Sequence, residues 1–201
     1  MALKTFVLIS AINNLSDARY CAGMDVDLLG FNFEENNPNY ITPETFKELV
    51  EWLSGVSFVG EFETKKDPSD IDQTLKKYEV DYVEVTSQNL ISPLQKAGYK
   101  VIWRADISEL KQEFISSADY LVVESGKSAV SSSQRRLLTA LAKNQKVLLG
   151  YGITDDNVLA LLEETGVHGI ALKGGNEIKP GYKDYDELAD ILETLEIDDM
   201  A

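Results

Sequence analysis

The chain has few of the residues that most often build compact chemical sites. It holds one cysteine, Cys21, and one histidine, His168, in 201 residues. A single thiol excludes a disulfide framework and fits a reducing compartment. The acids near the ends of its apolar segments have no histidine among them, so no metal-ligand spacing emerges. Basic residues are also scarce: 19 Lys and Arg stand against 34 Asp and Glu, a net charge of −15. That surplus repels phosphate backbones and anionic lipid, so neither nucleic acid nor a membrane surface is an expected partner. No apolar run approaches the ~20 residues of a membrane span. The opening "MALKTF" lacks the long apolar segment and cleavage site of a signal peptide. GxSxG, Walker and GxGxxG patterns are missing, and no cofactor is expected. The expectation is a cytoplasmic protein.

What the chain does have is alternation. Apolar, β-branched-rich runs cover 5–10, 27–33, 57–62, 81–85, 100–104, 119–124, 146–150 and 168–173. Most lack strict polar alternation, the mark of strands buried on both faces in a parallel sheet. Helical patterns lie between them. "TPETFKELVEWL" offers Thr42 as N-cap and Pro43 at the first helical position, with Phe46, Leu49, Val50 and Leu53 on one face. "DPSDIDQTLKKY" starts the same way at Asp67 and Pro68, and "TDDNVLALLEETG" runs from Thr154 to a terminal Gly166. The patch "SGKSAVSSSQRR", 125–136, reads as a flexible loop after the sixth strand. Eight strands, most followed by a helix, predict an α/β fold: a parallel, eight-stranded (β/α)8 barrel, one domain over 1–201 with a frayed acidic tail from 196.

In such a barrel the loops after the strands build the active site. Gly150 and Gly152 precede a helix, and Gly174 and Gly175 follow the eighth strand beside Lys173. Glycines there let backbone amides approach an anion, so these residues are candidates for a small phosphorylated ligand. Tight turns account for the same glycines equally well. Glu124 ends the sixth strand as a candidate general acid or base, or as a carboxylate paired with Lys127. Glu61, Glu63, Glu84, Arg104 and Asp106 also sit near strand ends. His168 opens the eighth strand, far from the mouth, and Cys21 reads as a packed thiol.

Several segments in order resemble the phosphoribosylanthranilate isomerase family: "SDARYCAGMDVDLLGF", "DLLGFNFEENNPNYITPETFKEL", "SFVGEF", "LLGYGITDDNV" and "ALKGGNEIKPGYKD". The resemblance implies a tryptophan-pathway barrel that converts a phosphoribosyl aminoaldose to an aminoketose. It also implies a base at the end of strand one and an acid at the end of strand six. The family's catalytic Cys falls on Ser10, its Lys on Leu8, its Gly on Ala11 and its Asp on Glu124. The Arg that holds the anionic substrate falls on Asn39. The Gln and His around strand four fall on Glu84 and Thr86. The first glycine of the strand-seven pair falls on Tyr151, which should crowd or reshape the phosphate cradle, and an Asp of strand eight falls on Ala171. Gly152, Gly175, Pro180 and Gly181 persist. A serine hydroxyl is a far poorer base than a thiol of pKa about 8.5. Three readings follow: a diverged homologue with weak or lost standard activity that binds a phosphorylated metabolite, an active isomerase using Glu124 and an unusual base, or a non-catalytic partner protein.

Overall fold

The computed structural model describes residues 2–113, 115–174, 177–179, 182–183 and 186–197. All eight predicted strands are present: β1 (Phe6–Ser10), β2 (Leu28–Asn32), β3 (Ser57–Phe62), β4 (Tyr82–Val85), β5 (Lys100–Asp106), β6 (Tyr120–Glu124), β7 (Val147–Leu149) and β8 (Gly169–Lys173). They pair in parallel in chain order, and β8 returns to β1 through Phe6–Gly169 to Ser10–Lys173, which closes the barrel. The helices are α1 (Leu15–Gly23), α2 (Pro43–Val50), α3 (Pro68–Leu75), α4 (Ile91–Lys96), α5 (Ser132–Ala142), α6 (Val158–Thr165) and α7 (Asp186–Leu195). Among the described residues, the connection from β5 to β6 holds a 3₁₀ turn, Ile107–Glu109, and no α-helix. That abbreviated unit contributes to the short length.

The strands are apolar on both faces because each face meets a different core. Leu8, Val59, Ile102, Val122, Leu148 and Ala171 fill the barrel. Residues of opposite parity, such as Val7, Ile9, Leu29, Phe31, Val83, Val101, Leu121 and Val123, pack outward against the helices. Cys21 is buried in that outer layer.

Helix starts follow their caps. Thr42 Oγ1 accepts the Thr45 amide, and Asp67 accepts the Ser69 amide ahead of Pro68. Two boundaries differ from expectation. The last five of the twelve residues of the serine-rich patch are helix, because Ser131 and Gln134 form a capping box and α5 begins at Ser132. Asn157 Oδ1 accepts the Thr154 amide and its Nδ2 donates to the Gly152 carbonyl, so 154–157 is a turn and α6 starts only at Val158. Gly166 ends α6 with φ 64°, as expected of a terminal glycine. Of the acidic tail, 198–201 lie outside the described residues. Glu196 bridges Leu3 and the Ile197 amide donates to the Ala2 carbonyl.

The bottom of the barrel carries a repeated clamp. Asp27, Asp81 and Asp119 stand just before β2, β4 and β6, and each accepts an amide from the preceding strand: Val7 at 2.8 Å, Phe58 at 2.9 Å and Val101 at 2.8 Å. At the corresponding place before β8, His168 packs on Phe6 and Tyr120, away from the mouth as expected. Replacing Asp27 with Ala leaves the Val7 amide without that acceptor. The urea midpoint should fall by the equivalent of about 1.5 kcal/mol with an unchanged slope.

Candidate active site at the barrel mouth

Directly above the apolar interior, the inward-facing positions at the strand ends are polar or glycine. Alternation above the apolar barrel core places Ser10, Asn32, Glu61, Glu84, Arg104, Glu124, Gly150 and Lys173 in this upper layer. Arg104 is its centre. Nε donates to Glu84 Oε1 at 2.6 Å and Nη2 to Glu84 Oε2 at 2.8 Å, a bidentate fork. Nη2 also donates to Ser10 Oγ at 2.7 Å, and Nη1 to Glu124 Oε1 at 2.5 Å. The guanidinium side chain is only 11% exposed. Burial alone disfavours its charge, but Glu84, Glu124 and Glu61 reverse that and hold the proton more tightly than usual.

Glu61 completes the cluster. It lies across Gly30 of β2, where a Cβ would fall 1.9 Å from Glu61 Oε1, so a residue without a side chain is needed beneath it. Its Oε2 accepts the Ala11 amide at 3.2 Å, and Ser10 hydrogen-bonds to it. Burial, then repulsion from Glu84, raises its pKa to about 8 against the opposing pull of Arg104, Ser10 and Ala11. That shift favours the protonated, neutral carboxyl of Glu61 at neutral pH. Ala11 takes φ 59°, the left-handed region that costs a residue with a Cβ about 1–2 kcal/mol. The strand end is held in place by the Ala11 amide on Glu61, Ile12 on the Gly30 carbonyl and Gly174 on the Ser10 carbonyl.

The sequence candidates do not all meet at this centre. Ser10 and Glu124 do. Glu124 is paired with Arg104, and with Lys173 at 3.5 Å, rather than with Lys127. Asn39 belongs to a rim chain in which Asn14 Nδ2 donates to Asn13 Oδ1 and Asn13 Nδ2 to Asn39 Oδ1. The Thr86 hydroxyl donates to the Glu63 carbonyl. The amides of Gly150 and Gly174 are taken by the Val123 and Ser10 carbonyls. Gly152 is needed where it stands: φ is 66°, and a Cβ would lie 3.1 Å from the Ala129 and Val130 backbone. Gly175, Pro180 and Gly181 lie outside the described residues. Tyr151 packs in the layer between barrel and helices, where burial, with Asp106 nearby, raises its pKa to about 12.

A second anchoring carboxylate was missed in the sequence. Glu34, just past β2, accepts the amides of Glu63, Thr64 and Lys65 and the Thr64 hydroxyl. Burial opposes its charge, yet these donors hold its pKa below the usual range. It fastens the loop after β2 to the loop after β3, beside a cleft of about 420 Å³ that includes Tyr40, Lys65 and Lys77. Among the described residues, no group of three or more His, Cys, Asp or Glu is arranged for a metal ion, and no helix is long and apolar enough to cross a membrane.

A closed parallel barrel with its ionisable side chains gathered at the carboxyl ends of the strands is the frame of the (β/α)8 enzymes. Within that class, the chain belongs to the N-(5'-phosphoribosyl)anthranilate isomerase family, whose model matches residues 7–194. It is 25% identical over 201 residues to the N-(5'-phosphoribosyl)anthranilate isomerase of Chloroherpeton thalassium, covering 91% of each chain. It is 26% identical over 188 residues to that of Pelobacter propionicus, covering 89% of each. The fold is similar to the crystal structure of the Thermus thermophilus phosphoribosyl anthranilate isomerase, with TM-score 0.79, 21% identity and coverage of 94% of this chain and 98% of that one. It is also similar to the Thermotoga maritima structure, with TM-score 0.73, 20% identity and coverage of 95% and 98%. The family is one of isomerases in tryptophan biosynthesis.

Proposed function

We propose that this chain is a phosphoribosylanthranilate isomerase-type barrel in which the standard aldose-to-ketose conversion is weak or lost. The observation that carries this reading is the Arg104 guanidinium, which spans the mouth from Glu84 to Glu124 and holds Ser10 Oγ. The residue at the position of the family's acid is thereby tied in an ion pair. The residue at the position of its base is a hydroxyl that accepts a hydrogen bond from a cation. Asn39 adds no positive charge for an anionic substrate. Well-placed acid–base groups contribute about 10²–10⁴-fold each, so misplacing both removes most of the rate. The test of activity is loss of phosphoribosylanthranilate fluorescence with enzyme in excess. Turnover matching an active family enzyme would refute the reading.

For a small phosphorylated ligand we propose the side of the mouth between β7 and β8, where Lys173 is exposed at the end of β8 and the left-handed Gly152 turn follows β7. At 10-fold excess over Kd a ligand stabilises by about 1.4 kcal/mol. Ribose 5-phosphate at millimolar concentration should therefore raise the melting temperature of the protein, and Lys173→Ala should abolish the rise. Equal shifts in the two proteins, or none up to 20-fold higher ligand, would exclude this site.

A further inference from the structure

The proton-bearing Glu61 has no part in the chemistry the family resemblance implies, yet it is joined to the residue at the centre of that chemistry. Ser10 Oγ receives Arg104 Nη2 at 2.7 Å and is also hydrogen-bonded to the Glu61 carboxyl. With its oxygen already accepting from a cation, the hydroxyl has one hydrogen to give, and Glu61 is the acceptor beside it. The alignment is held from several sides. The Ala11 amide fixes Glu61, the missing side chain of Gly30 gives it room, and the left-handed turn at Ala11 aims Ser10. Such strain persists only where the surroundings impose it, and it gathers at functional sites.

We propose that Glu61, acting through the Ser10 hydroxyl, is the proton acceptor of the barrel mouth, with Arg104 stabilising the negative charge that develops on Ser10 Oγ. This rests on the reading above that the standard conversion is weak, and it assigns the residual activity to a different pair of groups. For an open-chain aldosylamine held as its iminium form, the C2–H bond breaks and its electron pair forms the C1=C2 double bond. The C1=N electrons move to nitrogen. The C2 proton passes to Ser10 Oγ as the Ser10 hydrogen passes to Glu61. The O–H bond on C2 then breaks, its proton leaving to water as its electrons form the C2=O bond, and the C1=C2 pair takes the proton held by Glu61, returned through Ser10, onto C1. The proton released equals the one that made the iminium, and no oxidant or reductant is consumed. Ser10 is the group that meets substrate, and Glu61 is a positioning residue that sets its basicity.

The groups facing Glu61 define its pH behaviour. Glu84 from β4 repels its charge, while Arg104 from β5 and the Ala11 amide favour it. Glu124 and Lys173 act one step removed, through Arg104 and through each other. Glu61 must be unprotonated to accept, so the transfer should speed up as pH rises and level off above about 8.

The test is single-turnover conversion of phosphoribosylanthranilate from pH 6 to 9.5 with protein in excess. The expected result is a slow rate that rises through about pH 8. Glu61→Gln should lower it at least 10-fold and flatten its pH dependence, Ser10→Ala should do the same, and Glu61→Asp should restore part of the rate with a shifted midpoint. A ¹³C-glutamate NMR titration of the wild type provides a readout that does not depend on turnover, with one carboxyl titrating near pH 8 that is missing in Glu61→Gln. A rate unchanged in Glu61→Gln, a flat profile or no rate above buffer would overturn the proposal. The last of these would leave the weak-or-lost-activity reading standing, whereas fast turnover would overturn that reading instead.

Discussion

Arg104→Met should be the most destabilising conservative-volume change in the barrel interior, lowering the unfolding free energy by about 3–5 kcal/mol. The reason lies in what remains. Glu84 is 6% exposed and loses its bidentate partner, Glu124 loses its short contact, and Ser10 and Glu61 lose the nearby positive charge. Removing one partner of a buried ion pair costs this much because the other charge stays buried without compensation. The loss should therefore be partly recovered by removing a carboxylate as well. In urea unfolding, Glu84→Gln in the Arg104→Met background should be more stable than Arg104→Met alone, although Glu84→Gln by itself destabilises the wild type. Additive losses from the two substitutions would show that Arg104 and Glu84 are not coupled as their geometry implies.

The second large effect is one that should fail to appear. Ser10→Cys places a thiol at the position of the family's catalytic base, and a well-placed base is worth about 10²–10⁴-fold. The single substitution should nevertheless raise phosphoribosylanthranilate conversion by less than about 10-fold. The thiol would sit within reach of Arg104 and beside Glu61, in a mouth whose cation is already committed to carboxylates. Asn39 would still supply an amide bonded to Asn13 where a guanidinium fork is wanted. A 10²-fold or larger gain from Ser10→Cys alone would mean that the rest of the mouth is competent and that only the base was lost.

The fold is legible in the sequence because each strand is local and buried on both faces. Runs such as 57–62 and 119–124 carry that information in a few consecutive residues, and the structure places strands there. Caps are local too, so Thr42, Asp67 and Gly166 mark their helix ends. Where two local signals compete, reading fails. The serine run at 131–133 looks like loop but caps and begins α5, and Asn157 turns 154–157 back on itself. The centre of the mouth was legible only in part. Ser10 and Glu124 stand out through resemblance, and Glu61, Glu84 and Arg104 are visible as charges near strand ends. Their partnership is not, because Arg104 meets Ser10 across 94 positions and Ala11 meets Glu61 across 50. One signal that reveals it is parity: counting two residues upward from the interior apolar positions gives the polar layer strand by strand. The need for Gly30 beneath Glu61, and the cradle of amides around Glu34, depend on close approaches that no spacing rule encodes.

The most direct test of the rebuilt mouth is the specificity constant for phosphoribosylanthranilate, measured from fluorescence loss on the purified protein beside an active family enzyme under the same conditions. With Arg104 tying Glu124 and a hydroxyl at Ser10, kcat/KM should lie at least about 10²-fold below that of the active enzyme. A value within a few-fold of it would contradict the account.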